Sequence, residues 1–109
     1  MPAKGSKPVW CLVMFDLPVK TKKETTEANR FRNLLLDMGF SRSQFSVYVQ
    51  YLPLASRAHV LVKQIKSNLP EGGDIRIVSI SDYEWSNAIR FTNKKDAPPD
   101  EQPTQLLIF

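Results

Sequence analysis

The chain contains a single cysteine, Cys11, and a single histidine, His59, among its 109 residues. One cysteine cannot form an internal disulfide, and together with one histidine it supplies too few ligands for an ordinary zinc site. The same scarcity argues against a Ser–His–Asp or Cys–His nucleophile. No glycine-rich phosphate loop is present, because the adjacent Gly72 and Gly73 follow Pro70 in a turn pattern. Carboxylates and basic side chains remain as the candidate functional groups.

Long hydrophobic stretches are also missing. The longest apolar run, Val9–Phe15, is far too short to cross a membrane. The first seven residues are polar and lack the pattern of a secretion signal. We therefore expect a cytoplasmic protein with no membrane contact. A chain of this length, with 42% hydrophobic and 24% charged residues, fits one globular domain.

The charge is distributed unevenly along the chain. Residues 1–95 hold all 15 Lys and Arg but only eight of the 11 acidic residues, which leaves this part with a net charge of +7. The last fourteen residues carry acidic residues only. A basic folded body favours a polyanionic partner such as nucleic acid, through electrostatic steering and counterion release. The alternative interpretation is a solvated surface that keeps the protein soluble.

Hydrophobic periodicity predicts alternating strands and helices. Two strands are apolar on both faces, and one strand alternates apolar and polar side chains. The two helices carry apolar stripes at helical spacing. The predicted elements are a strand at Val9–Phe15, a helix at Thr21–Met38, an alternating strand at Gln44–Tyr51, a helix from Pro53 to Leu69, a strand at Asp74–Ile80 and a short strand at Ala88–Thr92 after a polar turn.

The elements as located run strand, helix, strand, helix, strand, strand. We assign the chain to the ferredoxin-like α+β two-layer sandwich, whose order is strand, helix, strand, strand, helix, strand (βαββαβ). The first and third strands are central in that fold, which matches the two most apolar runs. Two helices cover only one face of the sheet, so the other face would expose a hydrophobic patch. A second copy, packed sheet to sheet about a two-fold axis, would cover it. The pattern therefore predicts a homodimer.

The end of the chain differs in character from the rest. We expect residues 1–92 to form the ferredoxin-like domain and residues 93–104, with three prolines and three acidic residues, to form a linker. Residues 105–109 end in the apolar run Leu106–Phe109. We expect this run to form an extra C-terminal strand on a sheet edge, in pairing with the partner subunit. A frayed end is the alternative.

Asp16 follows the first predicted strand, in the sequence Met-Phe-Asp-Leu-Pro. One interpretation is a turn carboxylate that bonds to nearby backbone N–H groups before Pro18. The other requires the dimer, because two Asp16 carboxylates related by a two-fold axis could share a Mg²⁺ ion and its waters. Such an ion could position a phosphodiester and activate a water molecule.

Basic residues cluster around the first predicted helix. Some lie in the loop before it, two lie within it, and one follows it. Doubled by a two-fold axis, they could line a positive track for phosphates, although a plain solvated surface has the same pattern. The candidate nucleic-acid-binding residues are Lys20, Lys22, Lys23, Arg30, Arg32 and Arg42.

Aromatic stacking platforms are not predicted. An RNA-recognition domain shares this element order, but its characteristic strand is aromatic and Asp74–Ile80 contains no aromatic residue. Phe45 and Tyr48 are predicted to point to opposite faces of their strand, which argues against a platform there as well. We therefore interpret the aromatic residues as mainly core.

Three segments of the chain form a recognisable series. These are Met14-Phe-Asp-Leu-Pro18, Phe31-Arg-x-x-Leu35 running to Gly39-Phe40, and Gln44-Phe-Ser-Val-Tyr48. Together, in this order and at this spacing, they resemble the CRISPR-associated protein two family, particularly its versions in type II systems. The resemblance covers roughly residues 8–92 and implies a ferredoxin-like homodimer whose C-terminal strand pairs with the opposite subunit.

The resemblance also implies a function in acquiring new CRISPR spacers. In the family, the dimer lies between two dimers of the CRISPR integrase and holds double-stranded prespacer DNA along a basic surface. Many members are described as Mg²⁺-dependent endonucleases acting on RNA or double-stranded DNA, with the metal bound at the position of Asp16. Arg30 and Arg42 fall near the substrate in that comparison. Phe15 replaces a tyrosine of other branches, which removes a hydroxyl donor.

Three functions remain open on the sequence. The first is a non-catalytic scaffold that binds duplex DNA and an integrase. The second is a stand-alone Mg²⁺-dependent endoribonuclease similar to small ferredoxin-like toxins. The third is a basic homodimeric regulatory domain without a nucleic-acid function.

Overall fold

The computed structural model describes residues 7–92 and the backbone of residues 95–97. No helix in this part of the chain is long and apolar enough to span a membrane. The elements, in chain order, are β1 (Val9–Asp16), α1 (Lys22–Asp37), β2 (Ser41–Gln44), β3 (Val47–Leu52), a 3₁₀ turn (Ala55–Arg57), α2 (Ala58–Lys66), β4 (Asp74–Ser81), α3 (Asp82–Ser86), β5 (Arg90–Thr92) and β6 (Lys95–Ala97).

Four strands form one antiparallel sheet in the order β2-β3-β1-β4. β1 pairs with β3 on one side and with β4 on the other, and α1 and α2 pack against one face. This is the α+β two-layer sandwich predicted from the sequence, and its βαββαβ element order up to β4 is confirmed.

The core lies between the sheet and the two helices. Alternate residues of β1 point toward the helices, where they meet α1 and α2. The ring of Phe15 packs edge-on against Phe31, with ring centres 5.3 Å apart. Fully burying an apolar side chain of this size stabilises a fold by about 1.5–3 kcal/mol. The most deeply buried members are Cys11, Val13, Phe31, Leu35 and Ile65.

The prediction of one strand over Gln44–Tyr51 is wrong. A hairpin lies there instead, with β2 ending at Gln44, Phe45 and Ser46 in the turn, and β3 beginning at Val47. The register of β2 shifts between Arg42 and Gln44. Because every side chain of β2 is exposed, the strand has no apolar alternation by which its sequence could have been recognised.

The predicted positions of two other strands are also wrong. β4 lies at the edge of the sheet, although it was expected to be central, because the central pair is β1 and β3. Its apolar residues on both faces made it resemble a buried strand. The predicted strand at Ala88–Thr92 is shortened to β5, which pairs with β6 in a two-stranded sheet separate from the four-stranded one. β6 lies within the expected linker, and the rest of that linker and residues 105–109 lie outside the described residues.

Helix α1 begins with a capping box. The Thr21 hydroxyl accepts a hydrogen bond from the Glu24 backbone N–H, and the Glu24 carboxylate accepts one from the Thr21 N–H, at 3.1 and 3.0 Å. Lys22 and Lys23 therefore lie in the first helical turn, within the predicted helix Thr21–Met38 and not in a loop before it. At the other end, Gly39 has a φ of +96°, as a helix-terminating glycine requires.

The segments after β3 and β4 also differ from the prediction. The helix expected from Pro53 to Leu69 is a 3₁₀ turn followed by the shorter α2. The polar segment expected as a turn after β4 is the short helix α3, whose N-cap Ser81 accepts a hydrogen bond from the Glu84 backbone N–H. A single polar helical turn has no apolar stripe, so its sequence resembles a loop.

The second face of the sheet, remote from α1 and α2, is apolar as predicted. α3 covers one end of it, where Trp85 stacks on Trp10 at 5.1 Å and the Trp10 indole donates a hydrogen bond to Asp82. The other apolar residues of this face are half-buried, apart from Val49, which is buried. By the strand register they are Leu12, Met14, Val47, Val49, Val78 and Ile80.

Candidate metal and nucleic-acid site

Asp16 is the last residue of β1 and points to the second face of the sheet, where it is exposed. Within the described residues its carboxylate forms no hydrogen bond or ion pair, so the structure does not support the turn-capping interpretation. Its register partner on β4 is Asp74, which is also exposed. Since like charges directly opposite each other destabilise a strand pair, this arrangement does not contribute to stability.

Gly73 allows the turn before β4 to approach the end of β1 closely. Its φ is +85°, and a Cβ atom there would lie 2.8 Å from the Asp16 carbonyl oxygen and 2.6 Å from Leu17 Cδ2. Gly72 also has a positive φ of +78°, but its Cβ would meet only Pro18 Cγ at 3.8 Å. Gly73 is therefore needed both for its backbone conformation and for space beside Asp16.

The residues at this strand end fit a metal that needs few protein ligands. No group of three or more His, Cys, Asp or Glu that could hold an ion is found among the described residues. Asp16 and Asp74 are two such residues, one fewer than a group of that kind contains. Mg²⁺ typically keeps several waters and binds one or two carboxylates, so this pair can serve as a partial site that a second subunit would complete.

Two of the predicted basic residues form a group that we call the paired basic group, Lys23 and Arg30. Lys23 Nζ lies 3.6 Å from Glu71 Oε2. The Arg30 guanidinium donates to both carboxylate oxygens of Glu27 at 3.2 Å and to the Asn68 carbonyl oxygen at 3.2 Å. The hydrogen bond from Arg30 holds the pKa of Glu27 below its usual value. These bases are partly neutralised, and they join α1 to the segment after α2.

Two other predicted residues form what we call the aromatic basic group, Arg32 and Arg42 around Phe45. The Arg32 guanidinium carbon lies 4.8 Å from the centre of the Phe45 ring and 5.5 Å from that of Phe15. The Arg42 guanidinium carbon lies 6.0 Å from the Phe45 ring centre. Within the described residues neither arginine has a salt bridge to a carboxylate.

The six basic candidates therefore do not form one continuous group within a protomer. Arg30 reaches toward the end of α2, whereas Arg32 reaches toward the β2–β3 turn. Lys20 and Lys22 are exposed at the start of α1 and form no ion pair in the described part of the chain. A continuous track would need the second subunit.

Sequence reasoning missed two residues of this region. Asp74 was not considered because only the strand register places it opposite Asp16. Phe45 was interpreted as a strand residue, but it lies in the turn and is 70% exposed. Arg42 precedes Phe45 by three residues. This spacing is the sequence feature that could have indicated an aromatic ring beside a basic side chain.

The single cysteine and histidine play no part in this site. Cys11 is fully buried, and burial raises the pKa of its thiol to about 11, so it remains protonated and unreactive at neutral pH. His59 is exposed on α2.

The fold and the site together define a ferredoxin-like α+β domain with a free carboxylate at a strand end and basic residues around it. The crystal structure of a Cas2 protein shares this fold, with a TM-score of 0.56 at 20% identity over 88% of this chain and 98% of that one. The family described as "CRISPR associated protein Cas2" matches residues 9–88. The chain belongs to the Cas2 family, as the three sequence segments predicted.

Curated relatives agree over nearly the whole chain. A "CRISPR-associated endoribonuclease Cas2" from Paracidovorax avenae is 40% identical over 105 residues, which is 96% of this chain and 97% of the relative. A protein of the same name from Flavobacterium psychrophilum is 41% identical, over 93% of this chain and 88% of the relative. A third, from Parvibaculum lavamentivorans, is 35% identical, over 93% of this chain and 100% of the relative.

Proposed function

We propose that the protein is a CRISPR adaptation subunit with a Mg²⁺-dependent nuclease centre at Asp16. In this proposal a homodimer binds double-stranded prespacer DNA, bridges the CRISPR integrase in the cytoplasm, and cleaves phosphodiester bonds in RNA or DNA. Membership of the Cas2 family supports the CRISPR function. The endoribonuclease names of the relatives support the nuclease activity.

The observation that carries the nuclease proposal is the unpartnered Asp16 carboxylate at the exposed end of β1. A carboxylate without a hydrogen bond or ion pair in the described chain is available to a cation. Asp16 would hold the ion, and the neighbouring Asp74 would bind its waters or the ion itself. Mg²⁺ at such a position supplies Lewis-acid stabilisation of a phosphoryl group and lowers the pKa of a bound water.

Three features of the sheet support the homodimer. Its second face carries half-buried apolar side chains away from α1 and α2. In the described part of the chain the outer side of β4 has no strand partner, and an open strand edge favours pairing with another chain. Beside this edge lies an open cavity of about 380 Å³ with Val62, Leu69 and Ile77 among its lining residues. The partner's Leu106–Phe109 run would pair with β4 and fill this cavity.

The charge of the folded body supports DNA binding. Residues 1–95 carry +7, which a two-fold axis doubles. Neutralising phosphates with these bases releases counterions, so duplex affinity should fall steeply as the salt concentration rises.

The nuclease proposal is tested by incubating the purified protein with single-stranded RNA and with duplex DNA, in Mg²⁺ or in EDTA. We expect Mg²⁺-dependent cleavage, reduced at least about a hundredfold by Asp16→Asn because the ion loses its principal ligand. Asp74→Asn, a matched change on the opposite strand, should reduce cleavage less. Cleavage by Asp16→Asn at the wild-type rate would show that Asp16 is not the metal ligand.

The adaptation proposal is tested by mixing the protein with the integrase and prespacer DNA and measuring the mass of the product by sedimentation. We expect one large complex that contains two copies of this chain. Asp16→Asn should assemble normally, because assembly uses the basic surface and the sheet rather than the carboxylate. Failure of the wild-type protein to assemble in low salt would contradict the scaffold function and leave the stand-alone nuclease as the better account.

A further inference from the structure

Phe45 occupies the turn between β2 and β3, and 70% of it is exposed to solvent. The guanidinium carbons of Arg32 and Arg42 lie 4.8 and 6.0 Å from the centre of its ring. A hydrophobic ring is thus held in water beside two cations that no carboxylate of the described chain neutralises. This combination of an open aromatic face and free positive charge requires an explanation.

Core packing does not explain the position of Phe45. The rings that fill the core next to this turn are Phe15, Phe31 and Tyr48, which are at most 7% exposed. Phe45 lies outside them. Cation–π contacts at an exposed site stabilise a fold only slightly.

A sheet-to-sheet dimer does not explain the position of Phe45 either. Arg32 contacts both Phe45 and Phe15, and Phe15 points to the side of the sheet that α1 and α2 cover. The ring of Phe45 therefore lies toward the helices. The face that a second subunit would cover, which includes Leu12 and Met14, is the opposite one.

The state of Arg32 indicates what the group can bind. The residue is half-buried, and its Nε atom is shielded from solvent and makes no hydrogen bond in the described chain. Two aromatic rings, rather than a carboxylate, orient the guanidinium group. A guanidinium that aromatic rings hold in place, with no salt bridge in the described chain, is well suited to a phosphate.

We propose that Phe45, Arg32 and Arg42 bind one unpaired nucleotide of a single-stranded nucleic acid. The base stacks on the Phe45 ring, and the flanking phosphates meet the two guanidinium groups. Bases stack on aromatic side chains with little sequence preference, and the bases of an intact duplex have no free face to offer. This inference rests on the proposed function in binding nucleic acid.

The position of the turn relates this site to the candidate metal site. The Phe15 backbone N–H donates a hydrogen bond to the Ser46 carbonyl oxygen at 3.1 Å, so the turn lies directly beside the end of β1. Asp16 is the next residue. The Asp16 side chain points to the opposite face of the sheet from the Phe45 ring, so a strand held by Phe45 would reach the carboxylate by bending around the end of β1.

The test measures binding of a short single-stranded RNA that carries one 2-aminopurine base, by fluorescence anisotropy and by quenching of the base. Blunt duplex DNA is measured in parallel. We expect Phe45→Ala to weaken single-strand binding roughly 5- to 140-fold and to abolish quenching, because one stacked base is lost. Phe45→Trp should retain both signals, and duplex binding should be unchanged in both variants.

Tyr83→Ala is the matched control, since Tyr83 is 73% exposed on α3 and no arginine of the described residues lies over its ring. It should bind the RNA as the wild-type protein does. Sedimentation of Phe45→Ala should give the wild-type mass; conversion to a monomer would instead make Phe45 an interface residue and overturn the inference.

Three further outcomes test this inference, and the first two separate it from the proposed function. Unchanged RNA binding by Phe45→Ala, in a protein that still binds duplex DNA, would overturn the stacking site alone. A wild-type protein that binds neither nucleic acid would overturn the proposed function together with the site. A full retention of RNA affinity and quenching by Phe45→Leu would show that an apolar contact, rather than stacking, holds the base.

Discussion

The paired basic group and the aromatic basic group have the same charge but different surroundings. Lys23 and Arg30 lie within reach of Glu71 and Glu27, and Arg30 also bonds to a backbone carbonyl. Arg32 and Arg42 lie around an exposed ring and have no carboxylate partner in the described chain. Some basic side chains on the surface therefore stabilise the fold, and others remain available to a ligand.

The comparison shows why a count of basic residues is a weak predictor of a binding surface. Arg30 and Arg32 are two residues apart on one helix, yet they point to different neighbours because successive helical positions are rotated by about 100°. The neighbours decide what each charge does. Arg30 contacts the segment after α2, whereas Arg32 contacts the turn beside Asp16.

Replacing the charged residues of each group in turn should give the largest difference in the salt dependence of single-strand binding. Changing Arg32 and Arg42 together to Gln should lower the salt dependence of single-strand binding by about 1.4, since each lost phosphate contact contributes about 0.7. With the affinity in 1 M salt unchanged, this is about a 25-fold loss in 0.1 M salt. The measurement is anisotropy over a range of salt concentrations.

The matched control is the double change of Lys23 and Arg30 to Gln. It should leave the salt dependence nearly unchanged and lower the melting temperature slightly, because these bases already have acidic partners. Equal losses of affinity in the two double variants would remove the distinction between the groups.

Gly73→Ala tests whether the turn that carries Glu71 also positions Asp16. We expect Gly72→Ala to cost about 1–2 kcal/mol in the free energy of unfolding, because its φ is +78°. Gly73→Ala should cost roughly 1–3 kcal/mol more, since the new Cβ would lie 2.8 Å from the Asp16 carbonyl oxygen. Urea unfolding of the two variants gives the difference.

Cleavage assays on the same pair of variants then show whether strain at Gly73 reaches the candidate metal site. Gly73→Ala should lower the Mg²⁺-dependent rate below that of Gly72→Ala. Equal stability of the two variants would mean that the close approach to β1 is not needed.

The smallest effect is expected in the titration of Glu27. The hydrogen bond from Arg30 lowers its pKa, so the carboxylate is favoured in the folded state. The stability that this interaction contributes is present above the ordinary glutamate pKa of about 4.3 and is lost as the pH falls through the lower folded value. Carbon-detected NMR of the Glu27 carboxyl group measures it.

Substitutions in the two basic groups should affect this titration differently. Arg30→Gln should raise the pKa of Glu27 toward its usual value, whereas Arg32→Gln should leave it unchanged. A pKa of Glu27 that responds equally to both substitutions would show that the two groups are electrostatically coupled.

Much of the fold could be predicted from apolar periodicity. β1, α1 and β4 lie within one or two residues of their predicted bounds, because each carries a strong apolar pattern. β2 and α3 could not be found, since β2 is exposed and polar throughout and α3 is a five-residue helix with no buried residue. The edge position of β4 could be predicted only with knowledge of the β2–β3 hairpin. That hairpin supplies β3, which is the second central strand beside β1.

The candidate site was predictable only in part, for a similar reason. Asp16 stands out in the sequence because a carboxylate directly follows an apolar run. Asp74 belongs to the site because strand register places it opposite Asp16, and Phe45 because it lies beside Arg32 and Arg42. No local sequence pattern indicates either contact.

The sequence alone determined the element types, the apolar second face of the sheet, the basic character of the body and the family. These follow from local periodicity, composition and short ordered motifs. Only the tertiary structure decided which strand lies at the edge, which bases are neutralised, and that Phe45 is an exposed ring rather than a core residue. Those properties depend on long-range neighbours, and strand register and helix rotation select the neighbours after the chain has folded.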